Sequence, residues 1–146
     1  MEIKSELVRA LKIHKERTDD ALAERSRQIS EIQAQLAELL ETVNDDLYGV
    51  GGVEIIYMEE QHTFKGANIA LESLKITLAG QVVRLSPEII DDTLQVNLSN
   101  LSPEYPTLKI QKQNGQWIVL SDSGAFQSQF TQDFFLRNLI ELVNSA

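Results

Sequence analysis

Apolar residues recur every three or four positions over the first third of the chain, the spacing of one face of an α-helix. Residues 2–48 contain no glycine and no proline and are rich in Ala, Leu, Glu, Gln, Lys and Arg, which favour helices. The sequence therefore predicts one long helix of the coiled-coil type over residues 1–48. The predicted stripe, which includes one polar position, consists of Leu7, Leu11, His14, Leu22, Ile29, Ile32, Leu36, Leu39 and Val43.

A helix of this length exceeds the width of the domain that the remaining residues can form. At 1.5 Å per residue it measures roughly 65–70 Å, so its stripe must pack on another copy, on another protein, or back on itself. Thr18-Asp19-Asp20 is the one candidate break, because Thr and Asp cap helices well. We expect a continuous helix, with a fold-back near Thr18 as the alternative.

The periodicity changes to two after a glycine-rich joint at residues 49–52. Apolar and polar residues alternate over Leu74–Leu78 and again over Thr93–Leu98, as expected for strands with one buried and one solvated face. Asn114–Gly115 is a favoured pair for a tight hairpin, because both residues tolerate positive φ. These signals predict an antiparallel β-meander of about five strands.

Helical spacing returns near the end of the chain, over residues 131–144. Thr131 is placed to cap this helix, and its wide apolar arc predicts a largely buried position across the sheet. Pro87 is expected between strands, where a missing N–H does no harm. The fold class is therefore α+β, with a small domain at residues 53–146 that follows the long helix and its joint.

Composition narrows the location and the partners. The 146 residues include no cysteine, which excludes disulfides and thiolate metal sites and fits a reducing compartment. The start lacks the apolar core of a signal peptide, and no uncharged apolar run approaches the roughly 20 residues that span a bilayer. The net charge of −9 argues against general nucleic-acid binding. We expect a cytoplasmic protein with no membrane or nucleic-acid partner.

The charge is unevenly distributed along the chain. Every basic residue of the long helix precedes residue 28, and residues 28–64 carry acids but no Lys or Arg. A solvated acidic face is one interpretation, and a docking surface for a basic partner is the other. The candidate acidic surface consists of Glu31, Glu38, Glu41, Asp45, Asp46, Glu59 and Glu60.

No motif for catalysis, a cofactor or a metal stands out. The only histidines are His14, on the predicted stripe, and His62, in a predicted turn beside Glu59 and Glu60. That spacing matches no metal motif of known mechanics. Asp91–Asp92 falls where the chain is expected to reverse, which is a usual position for Asp. We therefore expect a non-enzymatic protein without a cofactor.

The stripe of the long helix carries the leading hypothesis, an interaction or assembly protein that self-associates through this helix. The acidic second half of the helix and its basic first half favour an antiparallel homodimer, in which opposite charges face each other. In a parallel pair the acidic ends would lie side by side.

Two alternatives remain open. Small acidic α+β proteins with a first helix, an antiparallel sheet and a closing helix resemble type III secretion chaperones, whose first helix is shorter. This resemblance of architecture and charge implies an acidic cytoplasmic chaperone or adaptor for a client protein. A small ligand-binding domain, with a pocket between the sheet and the last helix, is the third hypothesis.

Overall fold

The computed structural model describes residues 2–101, 103–104 and 106–146. In these residues a long helix is followed by an antiparallel sheet and a second helix, which confirms the α+β prediction, although the sheet has seven strands rather than about five. The elements are α1 (Glu2–Leu47), β1 (Val53–Phe64), β2 (Ala67–Leu78), β3 (Gln81–Ile90), β4 (Thr93–Ser99), β5 (Thr107–Gln113), β6 (Gln116–Ser121), β7 (Phe126–Gln129) and α2 (Gln132–Asn144).

The sheet is a meander in which each strand pairs antiparallel with the next. The sequence pattern misses two parts of it. Residues 59–63 (Glu-Glu-Gln-His-Thr) and β7 (Phe-Gln-Ser-Gln) lack alternating apolar residues, and pairing with a neighbouring strand holds each of them in the sheet. His62 consequently lies on β1, so its predicted place in a turn is wrong.

Four two-residue turns join adjacent strands, and both residues of each turn have positive φ. This is the backbone of the type I′ turn, whose twist matches that of the flanking strands. Asn114–Gly115 and Asp91–Asp92 form reversals as the sequence predicts, Ala79–Gly80 joins β2 to β3, and Lys65–Gly66 closes the long β1–β2 hairpin.

Pro87 lies inside β3, opposite Val96 of β4, so its predicted place between strands is wrong. The pairing of β3 with β2 ends at Leu85 and Leu74, before Pro87 is reached. The alternation of an antiparallel ladder directs the nitrogen of Pro87 toward the β2 side. Its missing N–H therefore removes no ladder hydrogen bond.

Beyond that point β1 and β2 continue as a two-stranded ribbon. Burial on β2 switches from Leu74 to the odd-numbered Leu71 and Ile69 without any shift in the β1–β2 register. Strong twist is characteristic of two-stranded ribbons, and it turns the other face toward the core here. The tip lies against α1, where the Lys65 ammonium donates to Gln28 Oε1 (2.7 Å).

One core joins the sheet to the second half of α1. The apolar side chains of the central strands share one face, and Lys112 on that face pairs with Glu38 of α1 at 3.0 Å. This half of the helix therefore belongs to the same packed unit as residues 53–146, across the joint. Its buried residues are Ile32, Leu36, Leu39, Leu40, Val43 and Leu47.

α2 closes the core at the other end of the chain. The backbone N–H of Phe134 donates to Thr131 Oγ1 (3.2 Å), so Thr131 is the N-cap that the sequence predicts. Only one side of the helix is buried, including Phe135 and Leu139, and Ile140 remains exposed. The helix is thus half-buried, and the prediction of a largely buried helix overestimates how much of its surface is covered.

Candidate functional site

The first half of α1 extends into solvent. Every side chain of residues 2–24 is exposed, although the helix runs unbroken to Leu47. Thr18 Oγ1 donates to the carbonyl of His14 (2.9 Å), so its hydroxyl bonds back to the same helix and caps no new one. The predicted continuity is confirmed, and this projecting half, residues 2–24, is roughly 34 Å long.

The projecting half carries an apolar stripe with no cover in the described chain. Leu7 and Leu11 are each 59% exposed and Leu22 is 45% exposed. At about 100° per residue, Leu22 lies within about 20° of Leu11 around the helix. Ile3 extends the stripe by one turn and is also exposed, but it is absent from the predicted interface.

The structure divides the predicted interface into two parts. Ile32, Leu36, Leu39 and Val43 are buried against the chain's own sheet, and Ile29 is half-buried against the same core. The four buried side chains are covered by this chain and do not line an interface between copies in this fold, which corrects their sequence-based assignment, whereas Ile29 is partly accessible. Leu7, Leu11, His14 and Leu22 remain accessible.

The predicted acidic surface also divides. Glu31 pairs with Arg27, and Glu38 pairs with Lys112 at 3.0 Å. The cations come from outside residues 28–64, so the absence of Lys and Arg within that range does not leave these two carboxylates unpaired.

A second group of carboxylates converges on Tyr57. Burial first, then the charges of Glu72, Asp45 and Glu41, raise the pKa of the Tyr57 hydroxyl above its ordinary value. Glu59 and Glu72 are opposite each other on β1 and β2 and line a cavity of about 320 Å³ beside α1. Glu72 and Tyr57 are absent from the predicted surface, because only the hairpin brings them beside residues 41–45.

The other two predicted acids are less accessible. Burial, and then the charge of Asp45, raise the pKa of Asp46, whose Oδ2 accepts no hydrogen bond from the described residues. Glu60 accepts a hydrogen bond from the Ser86 hydroxyl (3.2 Å) on the opposite face of the ribbon from Glu59. Neither belongs to the group around Tyr57.

The arrangement of His62 does not fit a metal site. Neighbouring residues on a strand point to opposite faces, so Glu60 shares a face with His62 and Glu59 does not. Within the described ranges, no group of three or more His, Asp or Glu side chains could hold a metal ion.

No helix in the described part of the chain is long and apolar enough to span a membrane.

An apolar groove of about 360 Å³ lies between the end of α1, the start of β1, and α2. Leu47, Val53, Leu78, Leu139 and Ile140 are among its lining residues. It lies where the hypothesis of a ligand-binding domain expects a pocket.

Comparison of the chain with protein-family profiles, with curated proteins and with solved structures finds no match.

Proposed function

We propose that this chain is a non-enzymatic assembly protein that self-associates through the projecting half of α1, as an antiparallel pair with a second copy. The observation that carries the proposal is the exposed stripe of Ile3, Leu7, Leu11 and Leu22. The next turns of the same helix bury the same stripe in the core. Because burial of one such side chain is worth roughly 1.5–3 kcal/mol, an identical stripe on a second copy is a favourable cover.

Steric exclusion supports the antiparallel orientation. The tip of the β1–β2 hairpin lies against α1 from Arg25, which donates to the Lys65 carbonyl, and the sheet core packs on the stripe side from Ile29 onward. In a parallel pair, the helix of the second copy would continue along that side into the space that the sheet fills. In an antiparallel pair with Ile3 opposite Leu22, residues 3–22 of the two copies overlap up to that hairpin tip, which shares a groove with Leu22, and the domain of the second copy lies at the far end.

Charge complementarity favours the same orientation. If Ile3 lies opposite Leu22 of the second copy, Lys4 comes near Asp19 and Glu6 comes near Arg17 of that copy. The two-fold axis repeats each attractive pair. Exposed ion pairs are worth only about 0–1 kcal/mol each, so they select orientation more than they add affinity.

Light scattering after size exclusion tests the proposal on the full chain. We expect a mass near twice 16.4 kDa. The substitution Leu11→Glu should weaken the pair at least about a hundredfold, because each dimer loses two buried leucines and gains two unpaired carboxylates. It should leave the circular dichroism unchanged, since Leu11 contacts nothing in the core.

Ile13→Glu is the matched control. Ile13 is also exposed but lies about 160° around the helix from Leu11, so this variant should remain a dimer. A monomeric parent chain at tens of micromolar, or equal loss of mass in both variants, would refute self-association through the stripe.

A second candidate function is an adaptor for a basic client, and a different surface favours it. The accessible carboxylates of Glu41, Asp45, Glu59 and Glu72 lie together around Tyr57. Binding of a basic client protein in solution, undiminished by Leu11→Glu, would support this role separately from self-association.

A further inference from the structure

β1 forms one edge of the sheet and, among the described residues, pairs only with β2, over twelve residues without a register shift. The Lys65–Gly66 turn makes Phe64 and Ala67 the closing hydrogen-bonded pair. Because backbone groups alternate in direction along an antiparallel pair, every second residue from there directs its N–H and C=O away from the sheet. These outward residues are Val53, Ile55, Tyr57, Glu59, Gln61 and Thr63.

Apart from the charges of Glu54, Glu59 and Glu60, this edge lacks the usual protections against strand addition. Natural edge strands are shortened, bulged, or guarded by Pro or Lys, whereas β1 is long, regular and free of both residues. No backbone hydrogen bond from the other described residues reaches positions 53–64 outside the β1–β2 ladder. The opposite edge, β7, has only four residues and a register shift in its pairing.

The side chains beside the edge determine which strand would fit. Tyr57 and Glu59 share one face of β1, with Glu72 opposite Glu59 on β2, and Glu59 and Glu72 line a cavity that α1 also lines. The register places the neighbouring basic residues, Lys75 and Arg84, on the opposite face with Ile56. Ile56 is exposed there. An added strand therefore meets the carboxylates of Glu59 and Glu72 on one face, and the exposed apolar side chain of Ile56, with Glu54 and Glu60 further along β1, on the other.

A second copy of β1 is a poor occupant of this edge. Antiparallel pairing of the outward residues about the middle of β1 would set Glu59 opposite either Glu59 or Tyr57 of the second copy. It would also bring both Glu72 carboxylates near that point. Like charges directly across a strand pair are destabilising.

We propose that β1 binds an extended basic segment of a partner protein as an eighth strand, in which basic residues alternate with apolar ones. The backbone of the segment pairs with the outward groups of β1, its basic side chains meet Glu59 and Glu72, and its apolar side chains cover Ile56. Such strand addition draws affinity from main-chain hydrogen bonds and specificity from alternate side chains. The inference supplies a binding mode for the adaptor candidate and does not depend on the stripe of α1.

Fluorescence anisotropy with a labelled ten-residue peptide, lysine alternating with valine, tests the proposal on the full chain. We expect saturable binding that weakens at least about tenfold in the double variant Glu59→Lys, Glu72→Lys. This variant should in turn bind the peptide in which glutamate replaces lysine. The same lysine peptide, N-methylated at alternate residues, keeps its charge but cannot form the ladder, and it should bind at least about tenfold more weakly.

Two further variants separate this proposal from the others. Gln61→Pro removes an outward N–H, which the fold tolerates on an edge strand, and should weaken binding of the lysine peptide. Leu11→Glu should leave the binding of this peptide unchanged. Absence of binding, or equal binding of the N-methylated peptide, would overturn strand addition. Dissociation of the parent dimer by Gln61→Pro would assign the edge to a second copy instead and likewise overturn the proposal.

Discussion

The antiparallel register can be tested by placing single cysteines on the projecting half of α1. The chain has no native cysteine, so each introduced thiol is unique. Ile3→Cys and Leu22→Cys lie at the two ends of the exposed stripe, where both side chains are exposed, and the core should be undisturbed.

Helix geometry sets the expected distances. Residues 3 and 22 are nineteen positions apart, so in an antiparallel pair the two copies of Cys at either position are separated by roughly 28 Å along the rods. A disulfide needs Cα atoms within about 4.4–6.8 Å. Neither variant alone should crosslink, whereas an oxidised mixture of the two should give a mixed dimer. In a parallel pair each variant would crosslink with itself.

The assay is a non-reducing gel after mild oxidation of each variant and of the mixture. Leu11→Cys, near the expected two-fold axis, serves as the positive control. Tyr48→Cys, exposed and distant from the stripe, reports random collision. Self-crosslinking of the Ile3→Cys variant at the rate of Leu11→Cys would refute the antiparallel arrangement. Crosslinking of the mixture no faster than Tyr48→Cys would refute pairing through the stripe.

Two predictions concern stability. Leu39→Ala should lower the free energy of unfolding of the chain by about 2–5 kcal/mol, because this side chain is 0% exposed. Leu7→Ala, at the same helical stripe but outside the core, should leave the unfolding of a monomeric Leu11→Glu background within about 0.5 kcal/mol; equal effects in urea titrations would contradict the division of the helix. Asp46 should make the fold more stable at low pH. Its pKa is raised in the folded state, so its contribution is fully present below the ordinary carboxyl pKa of about 4 and is lost as the pH rises through the folded-state value. Asp46→Asn should remove that pH dependence and raise the melting temperature at pH 7, and an unchanged or lower value would contradict the assignment.

The sequence by itself predicts those elements whose signals are local. An unbroken run without Gly or Pro specifies the whole of α1, because every residue contributes to the same backbone conformation. The Asn114–Gly115 turn follows from residues that tolerate positive φ, and Thr131 caps α2 through a bond to a residue three positions away. Each of these interactions lies within a few residues.

Only the tertiary structure determines what packs against the apolar stripe of α1. Spacings of three and four indicate that one face of α1 is buried. They do not show what covers it, because a second helix and a sheet both pack on an apolar stripe of this kind. Leu39 and Val43 could equally have lain in a coiled coil. The sheet covers them because the joint at residues 49–52 returns the chain beneath the second half of the helix, and it leaves Leu7 and Leu11 beyond its reach.

The acidic site depends on contacts still further apart in the chain. Glu59 lies in a polar stretch without alternation, and only its pairing with Glu72 holds it in a strand. Glu41 and Asp45 act on Tyr57 because α1 packs beside β1, and not because they are close to it in the sequence. Local sequence thus determines what each segment becomes, whereas the packing of α1 on the sheet decides which apolar stripe stays in water and which carboxylates meet.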